Sequence, residues 1–145
     1  MEDLITAVVN NYDVTMKFVA ITGKNVRLAR QLKRLPFDVK VFGFIEPVAE
    51  LMNCADYLIT KAGGLTAAEA LTTRVKYIIF NPLPGQETAN AKYLEQMGAA
   101  KIGYTPFEIA KAVREYDRAD NIFLGAMGRP LAADYIVEAI LREID

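Results

Sequence analysis

The chain has 145 residues and a formal net charge of −1, with 52 % apolar and 24 % charged residues, the make-up of one globular domain large enough to build a core. The charge balance offers no basic excess for nucleic acid or for an acidic lipid surface. One cysteine and no histidine exclude a disulfide framework, a Ser-His or Cys-His catalytic pair and a His-ligated metal within this sequence, and the lone thiol suits a reducing compartment.

From the N-terminus, Met1-Glu2-Asp3-Leu4 is acidic and lacks the apolar stretch of a signal peptide, and no run approaches the ~20 apolar residues of a membrane span. Leu4 to Asn10 reads as the end of a helix. Met16-Lys17-Phe18-Val19-Ala20-Ile21 reads as a buried strand closed by Thr22-Gly23. A helix follows from Val26 to Leu35 and stops before Pro36, with Asn25 as its cap. Val39 to Phe42 is a short strand ended by Gly43. Pro47 to Asn53 is a short helix, with proline at the start where a missing N–H costs nothing. Cys54, next in line, is expected as a small buried core residue.

Asp56 to Thr60 is the third strand, and Leu65 to Thr72 a helix behind Gly63-Gly64. Tyr77 to Phe80 is the fourth strand, leaving through the rigid loop Asn81-Pro82-Leu83-Pro84-Gly85. Glu87 to Met97 is a helix capped by Gly98, and Ala99 to Ile102 a weaker fifth strand. Helices are expected at Pro106 to Tyr116, near Ile122, and at Leu131 to Ile144. Strands that are apolar runs without polar alternation, alternating with helices at short spacing, predict a Rossmann-like α/β domain: one parallel sheet with helices on both faces. No repeat or linker divides residues 1–145.

In such folds ligands meet the carboxyl ends of the strands, and four polar or glycine-rich turns fall there. In Thr60-Lys61-Ala62-Gly63-Gly64-Leu65-Thr66 two glycines allow close backbone approach, and the N–H groups of Gly64, Leu65 and Thr66 open a helix whose dipole favours an anion. Glu69, one turn in, is placed to accept ribose hydroxyls. The same turn also reads as tight strand-to-helix packing with Thr66 as a cap, and spacing alone leaves the two readings equal. Gln86, Glu87 and Asn90 open the next helix with donors and acceptors for sugar hydroxyls, or simply cap it. Gly43-Phe44-Ile45 offers backbone and an apolar wall to a uracil, or merely ends a strand. Thr22-Gly23-Lys24-Asn25 is read as a helix cap.

Taken in order, Gly23-Lys24-Asn25, Val41-Phe42-Gly43-Phe44, Asp56 through Thr66 with Glu69-Ala70-Leu71, Pro84-Gly85-Gln86-Glu87 with Asn90-Ala91, and Gly98-Ala99-Ala100 resemble the C-terminal half of the diacylglycerol glycosyltransferases. These are the monogalactosyldiacylglycerol synthase and processive diacylglycerol glucosyltransferase type, with the lipid II N-acetylglucosaminyltransferase as wider kin. The likeness runs from about Val14 onward; Ala62 replaces a frequent proline, and Val75-Lys76 stands where a proline usually precedes the next strand.

The resemblance implies the C-terminal, donor-binding domain of a GT-B fold. It places uracil at Gly43, Phe44 and Ile45, the diphosphate at Gly63, Gly64, Leu65 and Thr66, ribose at Glu69, and the hexose at Gln86, Glu87 and Asn90. It implies UDP-glucose or UDP-galactose as donor, no cofactor or metal, and inverting transfer to diacylglycerol by a cytoplasmic enzyme peripheral to the membrane. The catalytic base belongs to an N-terminal acceptor domain, so no catalytic residue and no activity are expected of these residues alone. The alternative is a non-catalytic donor-binding subunit of a split glycosyltransferase; an epimerase of the same architecture needs a histidine. Because such a domain opens with a strand central in the order 3-2-1-4-5-6, the first strand is expected to be missing. That leaves three outcomes: a piece of a longer chain, neighbouring strands that close the gap, or self-association through the open sheet.

Overall fold

A computed structural model describes residues 1–11 and 16–118. In chain order the elements are α1 (Glu2–Asn10), β1 (Phe18–Ile21), α2 (Val26–Leu32), β2 (Val39–Phe42), α3 (Val48–Cys54), β3 (Tyr57–Thr60), α4 (Gly64–Thr73), β4 (Lys76–Phe80), α5 (Gln86–Gln96), β5 (Lys101–Gly103) and α6 (Pro106–Arg118). The helices expected near Ile122 and at Leu131 to Ile144 lie outside the described residues.

Every strand pairing is parallel, and a helix separates each strand from the next, so the carboxyl ends gather on one edge. The sheet, however, is in two parts: β1 pairs with β2, and β3-β4-β5 form a separate three-stranded unit. Among the described residues, β2 and β1 therefore do not pair with β3, β4 or β5.

Side-chain alternation along the strands sets the layers. Tyr77 and Ile79 face α3, α4 and α5, packing with Met52, Ala67, Ala70, Ala91 and Leu94. Ile78 faces the other way, against Leu4 and Val8 of α1 and Ile109 and Val113 of α6. Among the described residues the β1–β2 pair is covered on one face, where Ala20 packs with Ile5 of α1 and Leu32 of α2. On its other face Val19 and Ile21 are 53 % and 40 % exposed. Among the described residues, helices lie on both faces of the three-stranded unit and on one face of this pair.

Local chemistry accounts for most element ends. Asn25 caps α2, its side chain accepting from the Leu28 N–H at 3.0 Å. α2 stops at Leu32, three residues before the sequence expectation, and continues as tight turns in which the N–H groups of Arg34 and Leu35 donate to Gln31 and Leu32. Pro36 explains the unwinding, because the residue before a proline is pushed out of helical geometry. Gly98 takes φ +68° after α5, and the Ala99 N–H returns to the Leu94 carbonyl at 2.8 Å, a glycine-dependent helix stop. Cys54 corrects an expectation: it is exposed, not buried. It ends α3 two positions after buried Met52, and residues two apart on a helix point to nearly opposite sides.

Candidate functional site: the carboxyl edge of the sheets

The turn after β3 is the best-braced of the strand ends. Tyr77, fully buried in β4, donates its hydroxyl to the Lys61 carbonyl. Asn90 of α5 donates Nδ2 to the Ala62 carbonyl at 3.1 Å. Two consecutive carbonyls of the Lys61-Ala62-Gly63-Gly64 turn are thus held from two different elements. Burial, reinforced by the nearby Glu87 carboxylate, pushes the Tyr77 phenol up to about 12, so it stays a proton donor throughout the physiological range.

Behind that brace α4 opens without a cap. Gly63 is its N-cap residue and no side chain bonds there. The first N–H to find a partner is that of Ala67, to the Gly63 carbonyl at 2.9 Å. The N–H groups of Gly64, Leu65 and Thr66 precede it and have no partner within the helix. Thr66 is not the cap that one reading of the sequence allowed. Gly64 has a conformation open to any residue, and a Cβ built on it meets nothing within 4 Å. Neither backbone geometry nor packing among the described residues asks for glycine at that position. Leu65 beside it is 77 % exposed. Glu69, half-buried one turn further along the same face, has no hydrogen-bond or ion-pair partner for its carboxylate among the described residues.

The loop after β4 turns sharply. Asn81 takes φ +45° and Gly85 takes φ +100° with ψ −129°, the second a region essentially confined to glycine. Glu87 folds back from α5 so that Oε2 accepts from the Leu83 N–H at 2.9 Å, and the Thr88 hydroxyl donates to the Leu83 carbonyl at 2.8 Å. Glu87 therefore also does the capping that was the plainer reading of this segment. Gln86 is exposed at the helix mouth. Asn90 is committed through Nδ2 to the neighbouring turn.

At the ends of β1 and β2, Gly23 and Gly43 stack closely: a Cβ on Gly43 meets the Gly23 carbonyl oxygen at 3.4 Å. The Thr22 hydroxyl donates to the Phe42 carbonyl at 3.0 Å. Phe44 is 71 % exposed and not the core side chain that a plain strand end would have made it; Ile45 is half-buried.

All eleven candidate residues thus lie at the carboxyl ends of β2, β3 and β4 or in the first turns of the helices that follow. Sequence reasoning missed the brace from Tyr77. A tyrosine inside an otherwise aliphatic buried strand is a signal for it, because a buried phenol requires a partner. Two surface cavities, of about 270 and 170 Å³, lie against α6 and do not touch this edge. Among the described residues no three His, Cys, Asp or Glu side chains cluster as a metal site, and no helix is long and apolar enough to cross a membrane.

Comparison with known proteins fits this arrangement. The chain is 39 % identical to a processive diacylglycerol beta-glucosyltransferase of Bacillus cytotoxicus and 36 % identical to one of Bacillus cereus strain AH187. Each match covers 88 % of the chain and 36 % of the relative, so the chain spans about a third of their length. Among solved structures, MurG of Acinetobacter baumannii matches with a TM-score of 0.75 at 24 % identity, over 97 % of this chain and 45 % of that one. VinC, a glycosyltransferase solved in complex with DTDP, matches with a TM-score of 0.69 at 22 % identity, over 86 % and 31 %. Both carry the GT-B architecture and fix the fold class of the chain. Residues 3–117 match the glycosyltransferase family 28 C-terminal domain, and the chain belongs to that family.

Proposed function

We propose that this chain binds a UDP-hexose for inverting transfer of glucose or galactose to diacylglycerol, with the acceptor site and general base supplied by an N-terminal domain. The observation that carries the reading is the uncapped mouth of α4, where neither backbone geometry nor packing among the described residues calls for glycine at Gly64. An anion seated there would meet three convergent N–H groups and the positive end of the helix dipole, worth about 0.3–1 kcal/mol when exposed and up to about 2 when partly buried. Those donors act most where charge grows. UDP gains negative charge as it leaves, and fixed donors stabilise it without reorganising and without a bound cation.

The rest of the edge supplies the remaining contacts. The unpartnered Glu69 carboxylate accepts from ribose hydroxyls. Gly43, Phe44 and Ile45 offer backbone and an apolar wall to the base. Glu87 keeps Oε1 and Asn90 keeps Oδ1 for hexose hydroxyls after their structural bonds are made, and Gln86 stands beside them. The catalysed reaction is completed only with the second domain, in an enzyme peripheral to a membrane that carries its lipid acceptor.

Titrating UDP into the folded chain tests this. The amide resonances of Gly64 and Thr66 should shift saturably. Gly64→Asp fits sterically, since its Cβ meets nothing, and places a carboxylate at the helix mouth. It should hold or raise the melting temperature while weakening UDP binding about tenfold or more. An intact wild-type fold with no UDP-dependent shift at either amide would overturn the reading.

A further inference from the structure

The helices of this chain obey an electrostatic rule, with two exceptions. A helix N-terminus is the positive end of the macrodipole, so an acid in the first turn stabilises the helix and a cation destabilises it. Among the described residues α1 carries Glu2 and Asp3 in its first turn, α3 carries Glu50, α5 carries Glu87 and α6 carries Glu108. α2 and α4 carry no acid there. These are the two helices entered through a lysine: Lys24 stands two residues before Val26, and Lys61 three residues before Gly64.

No contact among the described residues explains either lysine. Both are exposed, and neither ammonium has a hydrogen-bond or ion-pair partner among the described residues. Lys101 and Lys111, by contrast, pair with Glu115, and Lys76 lies over the Tyr57 ring. A surface lysine without a partner is ordinary. One set against the positive end of a helix lowers stability, and residues that break a local rule in this way gather at functional sites.

Both side chains start from fixed backbone. The Tyr77 hydroxyl holds the Lys61 carbonyl, and Asn90 holds that of Ala62. Lys24 sits in a turn closed by the Asn25 N–H on the Thr22 carbonyl and by the Val26 N–H on the Lys24 carbonyl, each at 3.0 Å. Lys24 follows β1 and Lys61 follows β3, so the two stand on either side of the division between the sheets. α1 spans that division: Ile5 packs with Ala20 of β1, and Leu4 and Val8 pack in the cluster that includes Ile59 of β3. A helix is about 10 Å across, and the long flexible stems of two lysines can close that width from both sides. The uncapped N–H groups of α4 open on the β3 side of it.

We propose that Lys24 and Lys61 form a cation clamp on the two phosphates of the sugar donor, closing from the β1 side and the β3 side. The proposal rests on the donor-binding reading and names the groups that supply its counter-charge. Backbone N–H groups are dipoles and offset only part of the charge of a diphosphate. The carboxylates of Glu69 and Glu87, on the same edge, oppose that charge. Two full positive charges at the mouth of α4 restore the balance, and a bound diphosphate in turn relieves the repulsion that each lysine exerts on its helix.

The test titrates UDP and uridine separately into the folded chain and follows the amide shifts. Lys61→Gln and Lys24→Gln should each weaken UDP by about tenfold and leave uridine unchanged, because uridine carries no phosphate. Lys61→Arg keeps the charge and should bind UDP within about threefold of the original chain. Both Gln variants should hold or raise the melting temperature, because a cation leaves the positive end of a helix, and their UDP affinity should depend less on salt. Arg27→Gln removes a charge of the same edge, in the first turn of α2, that the clamp does not use; it should change UDP affinity by less than about twofold. Four results overturn the clamp. UDP bound equally well by the original chain and by both Gln variants excludes the lysines and leaves the donor-binding reading standing. Equal loss of UDP and uridine, or a lowered melting temperature in both Gln variants, makes the lysines structural. A loss in Arg27→Gln as large as that in Lys61→Gln assigns the effect to the general potential of the edge. Absence of UDP binding by the original chain overturns the donor-binding reading and the clamp with it.

Discussion

Tyr77, Ile78 and Ile79 of β4 are sealed from solvent, whereas Val19 and Ile21 of β1 are 53 % and 40 % exposed. Both strands are short, apolar and parallel-paired. Among the described residues, β4 has a strand on each side and helices on both faces, and β1 has one paired strand and one covered face. The difference teaches that an apolar run stabilises this protein only in proportion to what closes over it, and that the two parts of the sheet should respond unequally to the same damage.

The largest expected effect is in the enclosed part. Ile79→Ala should cost about 2–5 kcal/mol, the range for truncating a buried aliphatic side chain, whereas Val19→Thr should stay within about 0.5 kcal/mol, as for a surface position. Urea denaturation of the two variants checks this; a Val19 cost equal to that of Ile79 would mean that β1 is covered in solution.

A smaller effect is expected where the enclosed part supports the candidate site. Tyr77→Phe leaves the Lys61 carbonyl without its donor, at a cost of about 1–3 kcal/mol. If the donor-binding reading holds, it should also weaken UDP, because the turn loses one of its two braces. The same phenol makes stability fall in alkali. Its folded value is raised to about 12 from the ordinary 10, so the unfolded chain loses the proton first. The contribution is intact below about pH 10 and is lost as pH rises toward 12. Tyr116, whose buried hydroxyl donates to the Tyr77 carbonyl and whose phenol is also raised by burial, acts in the same direction. Denaturation midpoints at about pH 9 and pH 11 should separate, and by less in Tyr77→Phe.

The smallest effect belongs to the surface pair Lys101–Glu115, at 2.8 Å. The hydrogen bond from Lys101 holds the Glu115 carboxyl below its ordinary value. Its contribution is therefore present above the ordinary carboxylate range and fades as pH falls through the lowered value. Because both side chains are substantially exposed, Glu115→Gln should change stability by a few tenths of a kcal/mol in thermal melts at neutral pH. A cost comparable to that of Ile79→Ala would put the ranking in error.

The candidate site was legible to the extent that its residues define turns. Gly43, Gly63, Gly64 and Gly85 break regular periodicity, and the residues after them open helices, so their place at the strand ends follows from local chemistry. What they do there needed neighbours. Glu87 reads equally as a sugar ligand or as a cap, and its bond to Leu83 appears only when the loop is built. Asn90 lies 28 residues from Ala62 in sequence, and no local pattern announces that bond. Cys54 shows the same limit on a smaller scale: its apolar neighbours suggested burial, and the rotation of α3 placed it outside.

The sequence by itself determined the order of helices and strands, the parallel class of the sheet and the positions of the turns at the strand ends, because hydrophobic period, proline and glycine act over a few residues. Only the tertiary structure decided that, among the described residues, the sheet falls into two parts and β1 has one face and one edge uncovered, and that Tyr77 and Asn90 hold the turn before α4. Those outcomes depend on which segments meet across long separations, and pairing and burial are properties of both partners at once.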